Sequence, residues 1–260
     1  MNNLYIIIIN FNSQDSIIDC IKSIISYYPK INIIIVDNAS SDQSLRLINF
    51  LGYKHINIIK NNTNLGFAKA VNKGIKFALK QGAQEVLLLN PDTTVTSDFL
   101  EPLLSNKAEI VGPVIKFRRQ GDWVYDFGGK INFLLGRVNH FESLDPQAIF
   151  SQPDYLSGCC LLIRRKVLEK LGFLNEKYFL FFEDSDFCLR ARKAGFKIAL
   201  EPKSIIIHQL SEGKNKPLYY MYYLIRSNLI FVNYWLPFYR RPLAYAYLSL
   251  LSFKMLLNRS

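Results

Sequence analysis

Three carboxylates fall within four residues at Glu183-Asp184-Ser185-Asp186, directly after the aromatic run Tyr178–Phe182 and at the start of a helical pattern. Acids in the first turn of a helix complement its dipole. Asp186 also stands four residues before Arg190, the spacing of a supporting ion pair, and that structural role accounts for it. It does not account for Glu183 and Asp184, which follow apolar residues where burial raises a carboxyl pKa and suits it to general-base chemistry. Another carboxylate, Asp92, follows an apolar strand and a proline. Fixed on such a turn, it could hold a hard divalent cation whose other ligands are waters and phosphate oxygens, although an Asp-after-Pro turn is weak evidence alone. His208 ends a run of isoleucines, where a histidine is either a hydrogen-bonded packing residue or a ligand. His55 and His140 sit in loop-like surroundings and receive no role.

The elements that must position these groups are legible in the first hundred residues. Apolar, β-branched runs at Leu4–Ile9, Ile31–Val36, Ile56–Ile59 and Val86–Leu89 lack polar alternation, as strands buried on both faces do. Helical patterns separate them: about Ser16–Tyr28, a second after Ser40-Ser41-Asp42, whose side chains can cap it, and a third over Phe67–Leu79 ending near Gly82. Strand and helix in alternation predict an α/β fold with a mostly parallel, Rossmann-like sheet flanked by helices. Ligands in such sheets bind beyond the strands' carboxyl ends. Those ends read Asn10-Phe11-Asn12, Asp37-Asn38-Ala39-Ser40, Asn61 to Gly66, and Asn90-Pro91-Asp92. One such segment is ordinary turn chemistry; four in succession point to a site. From about Glu101 to Pro153 the pattern blurs, with turns expected at Gly112-Pro113, Gly121-Asp122 and Gly128-Gly129. Order returns with a strand before Arg164, a helix over Arg165–Leu171, and strands near Ile198–Leu200 and Ser204–Ile207.

Half of the 260 residues are hydrophobic and a fifth are charged, which excludes a disordered, collagenous or small disulfide-stapled chain. Cys20, Cys159, Cys160 and Cys188 show neither C-x-x-C nor finger spacing and read as buried thiols in a reducing compartment. No basic segment precedes the first apolar run, which Asn10 and Asn12 interrupt, so it reads as a strand rather than a secretory signal, and the chain as cytoplasmic. The net charge of +11 favours an anionic partner: nucleic acid, a membrane surface or a phosphorylated small molecule. No helix-turn-helix, zinc-finger or RNP-type signature supports nucleic acid. No G-x-G-x-x-G follows the first strand, against a dinucleotide oxidoreductase.

The basic excess concentrates in a tail, 213–260, rich in Tyr, Phe, Trp and Leu, set against a first unit of 1–212. Its apolar runs, Leu229–Leu236 and Leu243–Leu257, are broken by Pro237 to Pro242 and are each shorter than the roughly 20 residues of a spanning helix. Two readings remain: a helix pair lying in the plane of an anionic membrane surface, held by Trp235, Tyr239, Arg240 and Arg241, or a helical hairpin covering the core or a dimer interface.

Taken in order, Ile7–Asn12, Val36–Asp42, Asn64-Leu65-Gly66-Phe67-Ala68, Leu89–Asp92, Gly158–Arg165, Phe182–Asp186 and His208 resemble glycosyltransferase family 2, the inverting nucleotide-sugar transferases of GT-A fold, and within it bacterial rhamnosyltransferase-like enzymes of surface-polysaccharide assembly. A looser similarity lies at Tyr223–Asn228. The resemblance implies that Asn10, Asn12, Asp37 and Asn38 hold the nucleobase region of a nucleoside-diphosphate donor. It places Asn64, Gly66 and Gly158 along the rest of that donor. It makes Asp92 and His208 ligands for Mg²⁺ or Mn²⁺, with Asn90 standing where the family commonly has a first Asp, and it makes Asp184 the base beside Glu183. The expected reaction is a single inverting displacement that moves a sugar to a glycan or polyprenyl-diphosphate-linked hydroxyl on the inner face of the plasma membrane. Rhamnose from dTDP-rhamnose is the first expectation, and a UDP-hexose or UDP-N-acetylhexosamine the alternative. A two-carboxylate hydrolase is the rival acid chemistry. From another class, a non-catalytic nucleotide-binding scaffold would keep the fold without turnover.

Overall fold

Unbroken apolar strands require cover on both faces, and the first four receive it. In the computed structural model, which describes residues 3–148, 150, 152–209 and 218–257, strands β1 (Leu4–Asn10), β2 (Asn32–Asp37), β3 (Ile56–Lys60) and β4 (Glu85–Leu89) lie in the order β3-β2-β1-β4, all parallel. Tyr5, Ile7 and Ile9 of β1 enter one core, while Leu4, Ile6 and Ile8 enter the other. Helix α3 (Phe67–Lys80) packs in the first core, and α1 (Ile17–Tyr27) and α2 (Ser44–Phe50) in the second. The N-cap of α2 is Gln43, without a side-chain cap bond, while Asp42 just before it accepts from the Ser44 N–H; Gly82 follows α3 with φ 86°.

The sheet continues from β4 through antiparallel β9 (Cys160–Arg164) to β6 (Ile110–Arg119), β10 (Ile198–His208) and the short edge strand β5 (Thr93–Val95). Six of these eight strands point the same way, so the mostly parallel α/β sheet expected from the sequence is present. Helices α4 (Leu100–Ser105), α5 (Arg165–Leu171) and α6 (Glu183–Lys193) complete the flanking layers.

The blurred middle resolves differently from expectation. Gly112-Pro113 lies inside β6 rather than at a turn. Pro113 faces Glu201 where the β6–β10 register shifts, so its missing N–H falls at an irregularity of the ladder. The two strands expected at Ile198–Leu200 and Ser204–Ile207 are one strand, β10, carrying that bulge. Gly128-Gly129 likewise sits within β7 (Asp122–Asn132), which pairs with β8 (Arg137–Ser143) through a register shift between Asp126 and Gly129. Gly128 takes φ 83° there, a conformation that glycine adopts without penalty. Of the three expected turns only Gly121 is one, joining β6 to β7.

The tail forms α7 (Leu218–Trp235), a single 3-10 turn (Phe238–Arg240) and α8 (Arg241–Leu257); the expected boundary between residues 212 and 213 lies outside the described residues. Helix α7 is seated on the rest of the chain. Phe231 is fully buried in the main core against Phe182, Ser227 Oγ donates to the Leu180 carbonyl at 2.7 Å, and Asn228 Nδ2 donates to the Gly136 carbonyl at 3.0 Å. Helix α8 packs on α7 through Val232, Leu236 and Ala244. It leaves Leu243, Leu250, Phe253 and Leu257 exposed at helical spacing. Among the described residues no helix is long and apolar enough to cross a membrane. Phe231→Ala is expected to lower the unfolding free energy of the whole chain by about 3–5 kcal/mol, measured by urea titration followed by circular dichroism. An unchanged midpoint would show that α7 stands apart from the main folding unit.

Candidate functional site

A cavity of about 760 Å³ opens at the carboxyl ends of β1, β2 and β4, and its wall includes Asn38, Asn64, Gly66, Asp92, Gly158, Glu183, Asp184 and His208. Strand-end segments far apart in the sequence thus meet in one place, as the sheet topology dictates.

Asparagine amides hold the first side together. Asn38 Nδ2 donates to Asn64 Oδ1 at 2.8 Å and to the Gly66 carbonyl at 3.3 Å, while its Oδ1 accepts from Leu65 N at 2.9 Å and Asn61 Nδ2 at 3.2 Å. One side chain therefore uses its donors and its acceptor to fasten the loop after β3 to the loop after β2. Gly66 has φ 81°, and a β-carbon there would lie 2.6 Å from the Phe179 carbonyl oxygen, so this turn admits no side chain. Its neighbour Phe67 donates its N–H to that same carbonyl at 2.7 Å.

Three residues expected to touch a donor stand off the cavity wall. Asn10 is fully buried, with Nδ2 directed at Asp37 Oδ1 (2.8 Å), Ser44 Oγ (2.8 Å) and Ser40 Oγ (3.1 Å). Asp37 is 2% exposed and also accepts from Ser40 N. Asn12 faces solvent, its Oδ1 holding Ser41 N at 2.8 Å. These polar groups are engaged in bracing the loops, because buried strand-end amides and carboxylates must find partners. The expectation that Asp37, Asp92 and Asp184 share one lining therefore holds for the last two only.

The β5–β10 ladder pairs Thr93 with His208 and so carries Asp92 to the histidine. His208 Nε2 stands 3.1 Å from Asp92 Oδ1, a buried oxygen with no aligned hydrogen-bond donor. Burial opposes charge on His208, but the Cys159 sulfur and the Asp92 carboxylate outweigh it and hold its pKa above the ordinary value. Among the described residues no set of three His, Cys, Asp or Glu groups is arranged to hold a metal. One carboxylate and one imidazole fit a cation that displaces the proton His208 otherwise holds and takes its remaining ligands from phosphate oxygens and water.

At the start of α6 the two acids differ. Asp184 Oδ2 accepts from Gly158 N at 2.9 Å, and Oδ1 accepts from Ser185 N at 2.6 Å and Ser185 Oγ at 3.2 Å. The carboxylate is thus fixed in one orientation with a lone pair left on Oδ2 for a third party. Glu183 is 6% exposed, and its Oε2 has no partner among the described residues. Burial, with the neighbouring Asp184 charge, pushes its carboxyl up to about 8. Ahead of both, Phe181 and Phe182 adopt φ 70° and 67°. Left-handed backbone at bulky residues is a genuine outlier that surrounding structure must hold in place. Asp186, expected to be structural, is fully buried, paired with Arg190 at 2.8 Å and accepting from Trp235 Nε1 at 2.9 Å.

Sequence reasoning missed the aromatic wall. Phe67, Phe179, Phe181, Tyr219 and Tyr223 all line the cavity, the last two from α7. The tail's aromatic density was a usable signal, but only its packing could show which way it faces. His140, given no role, has Nδ1 2.8 Å from Asp126 Oδ2. His55 rests on Tyr53, their ring centroids 5.6 Å apart.

The Glu183 environment has a consequence for stability. In the folded chain this carboxyl keeps its proton up to about 8, against an ordinary value of 4.5. The folded state therefore binds more protons in this window, and stability is lost as pH rises through it. The melting temperature is expected to fall between about pH 5 and pH 8, and Glu183→Gln to flatten that fall. Scanning calorimetry of both proteins across this range checks it; identical slopes would refute it.

Known proteins resemble this chain in sequence and in fold. The low-salt glycan biosynthesis hexosyltransferase Agl10 of Haloferax volcanii is 28% identical over 205 residues, covering 76% of this chain and 64% of its own length. The dTDP-rhamnosyl transferase RfbF of Shigella flexneri is 24% identical over 248 residues, 89% of this chain and 80% of its own. In fold, the chain matches a crystal structure of GalNAc-T7 with UDP, GalNAc and Mn²⁺ at a TM-score of 0.68 and 16% identity, over 88% of this chain and 48% of that one. The chain thus spans about two thirds of the Haloferax protein and half of GalNAc-T7. The family profile of Glycosyl transferase family 2 matches residues 5–172, well over half of the sequence, and with the GT-A sheet and strand-end cavity already in place, the chain belongs to that family.

Proposed function

We propose that this chain is an inverting glycosyltransferase that moves a sugar from a nucleoside-diphosphate donor to a hydroxyl of a glycan or polyprenyl-diphosphate-linked acceptor. The observation that carries this reading is the placing of Asp184 in one cavity with the Asp92–His208 pair and the Asn38–Gly66 turns. Asn38, through its grip on the Asn64–Gly66 turn, shapes the nucleotide's bed. Gly158, whose N–H fixes Asp184, leaves the floor open for the sugar. Asp184 takes the acceptor proton as the hydroxyl oxygen attacks the anomeric carbon and the nucleoside diphosphate departs from the opposite face. No covalent intermediate is required, so a single base suffices. Asp92 and His208 are the residues that would hold Mg²⁺ or Mn²⁺, and that ion supplies Lewis-acid stabilisation of the leaving diphosphate.

The Shigella relative, named for dTDP-rhamnosyl transfer, makes dTDP-rhamnose the first donor to test, with UDP-hexose and UDP-N-acetylhexosamine next. A non-catalytic nucleotide-binding scaffold is disfavoured by a general base that is both anchored and accessible. Asp184→Asn is expected to retain nucleotide-sugar affinity and to lower transfer by about 10²–10⁴-fold. Product analysis by NMR against a dTDP-, UDP- and GDP-sugar panel, with and without Mn²⁺, measures this together with the anomeric outcome. Full transfer in the variant would remove the proposed base.

We place the enzyme in the cytoplasm, peripheral on the inner face of the plasma membrane. The support is the exposed face of α8, with Leu243, Leu250, Phe253 and Leu257 beside Lys254, and with Phe238 and Tyr239 next to Arg240 in the adjoining turn. Apolar side chains flanked by cations suit an anionic lipid surface. Leu250→Ser with Phe253→Ser should weaken cosedimentation with phosphatidylglycerol vesicles while leaving the melting temperature intact. Equal partition of variant and wild type would exclude this face as the contact.

A further inference from the structure

We propose that Tyr219 and Tyr223 of α7, with Phe179, Phe181 and Glu183, form an acceptor subsite that receives a pyranose ring. This rests on the donor reading above and adds the chemical class of the second substrate. The strip is built from two segments beyond the nucleotide turns, and all five side chains line the cavity. Tyr219 and Tyr223 stand four residues apart and so share one face of α7. Tyr223 stacks on Phe179 with ring centroids 4.1 Å apart and planes 11° apart, while Phe181 meets Tyr220 edge-on at 4.5 Å. Tyr219 remains 57% exposed although it borders the cavity, which puts an uncovered aromatic surface at the entrance.

An apolar strip alone would suit many occupants, and Glu183 narrows them. Its Oε2 is buried, lacks a partner among the described residues and belongs to a side chain on the cavity wall, immediately before Asp184. Leaving such a group unpaired is unfavourable, so the natural occupant brings a hydrogen-bonding group to that depth. A polyprenyl chain offers none. A pyranose offers both features: a C–H face that lies flat on aromatic rings and a rim of hydroxyls. With the ring on the tyrosines and one hydroxyl at Glu183, a neighbouring hydroxyl falls to Asp184, which removes its proton in the transfer.

The test uses the whole chain and saturation-transfer NMR. The probes are methyl pyranosides of glucose, galactose, N-acetylglucosamine and rhamnose, with UDP and dTDP observed separately. At least one pyranoside should take up saturation, most strongly at its ring C–H protons. Tyr219→Ala with Tyr223→Leu should weaken that binding about tenfold and leave nucleotide saturation unchanged. Tyr219→Ala alone, at an exposed position, should reduce it in the same direction if the double variant melts early. No pyranoside binding to a wild type that binds nucleotide would overturn the subsite, and so would equal pyranoside affinity in wild type and variants. Loss of nucleotide binding in the wild type, with tyrosine-dependent pyranoside binding intact, would instead remove the donor reading and leave the subsite standing.

Discussion

The acidic end of the cavity depends on one strained turn. Phe181 and Phe182 both carry left-handed backbone, each at a cost of about 1–3 kcal/mol, and by doing so they aim Glu183 and Asp184 into the cavity from the first turn of α6. Such a turn persists only if its surroundings over-determine it. The restraint comes from α7: Ser227 holds the Leu180 carbonyl, Phe231 packs on Phe182, and Trp235 reaches Asp186 on the far side of the acid pair. A helix from the tail thus clamps both flanks of the Glu183–Asp184 pair.

The nucleotide side follows a different rule. There the backbone is held by amide side chains: Asn38 uses its donors and its acceptor across two loops, and Asn10 beneath them donates to Asp37 and Ser44 while its buried Oδ1 has no partner among the described residues. Buried polar groups of this kind fix geometry when satisfied and are costly when not. The bed of the site is consequently rigid, whereas Tyr219 and the exposed face of α8 offer surface to whatever arrives.

The sheet's first half was readable because an isoleucine run with no polar alternation admits only a doubly covered strand, and its polar ends could only be loops. Asp92 with His208 and Glu183 with Asp184 stood out because carboxylates next to apolar runs need a reason, and all four line the cavity. Asn10 and Asp37 were harder. A strand-end Asn or Asp looks the same in sequence whether it faces a ligand or braces a loop, and only the partners Ser40 and Ser44 decide it. Pro113 and Gly128 misled for a related reason: bulges admit turn-forming residues inside long strands, and a bulge depends on a distant partner's register. The tail was recognisable as helical, with cover of the core as one of two readings, and only the tertiary burial of Phe231 shows that α7 packs there.

The Trp235–Asp186 bond also bears on the order of events during synthesis. Strands β1 to β4 and their helices are complete by about residue 89 and can assemble while the ribosome is still at work. The turn that precedes the acid pair lacks its restraints from α7 until Trp235 has emerged. The nascent chain therefore completes the doubly covered half of its sheet early and the acidic end of its cavity last.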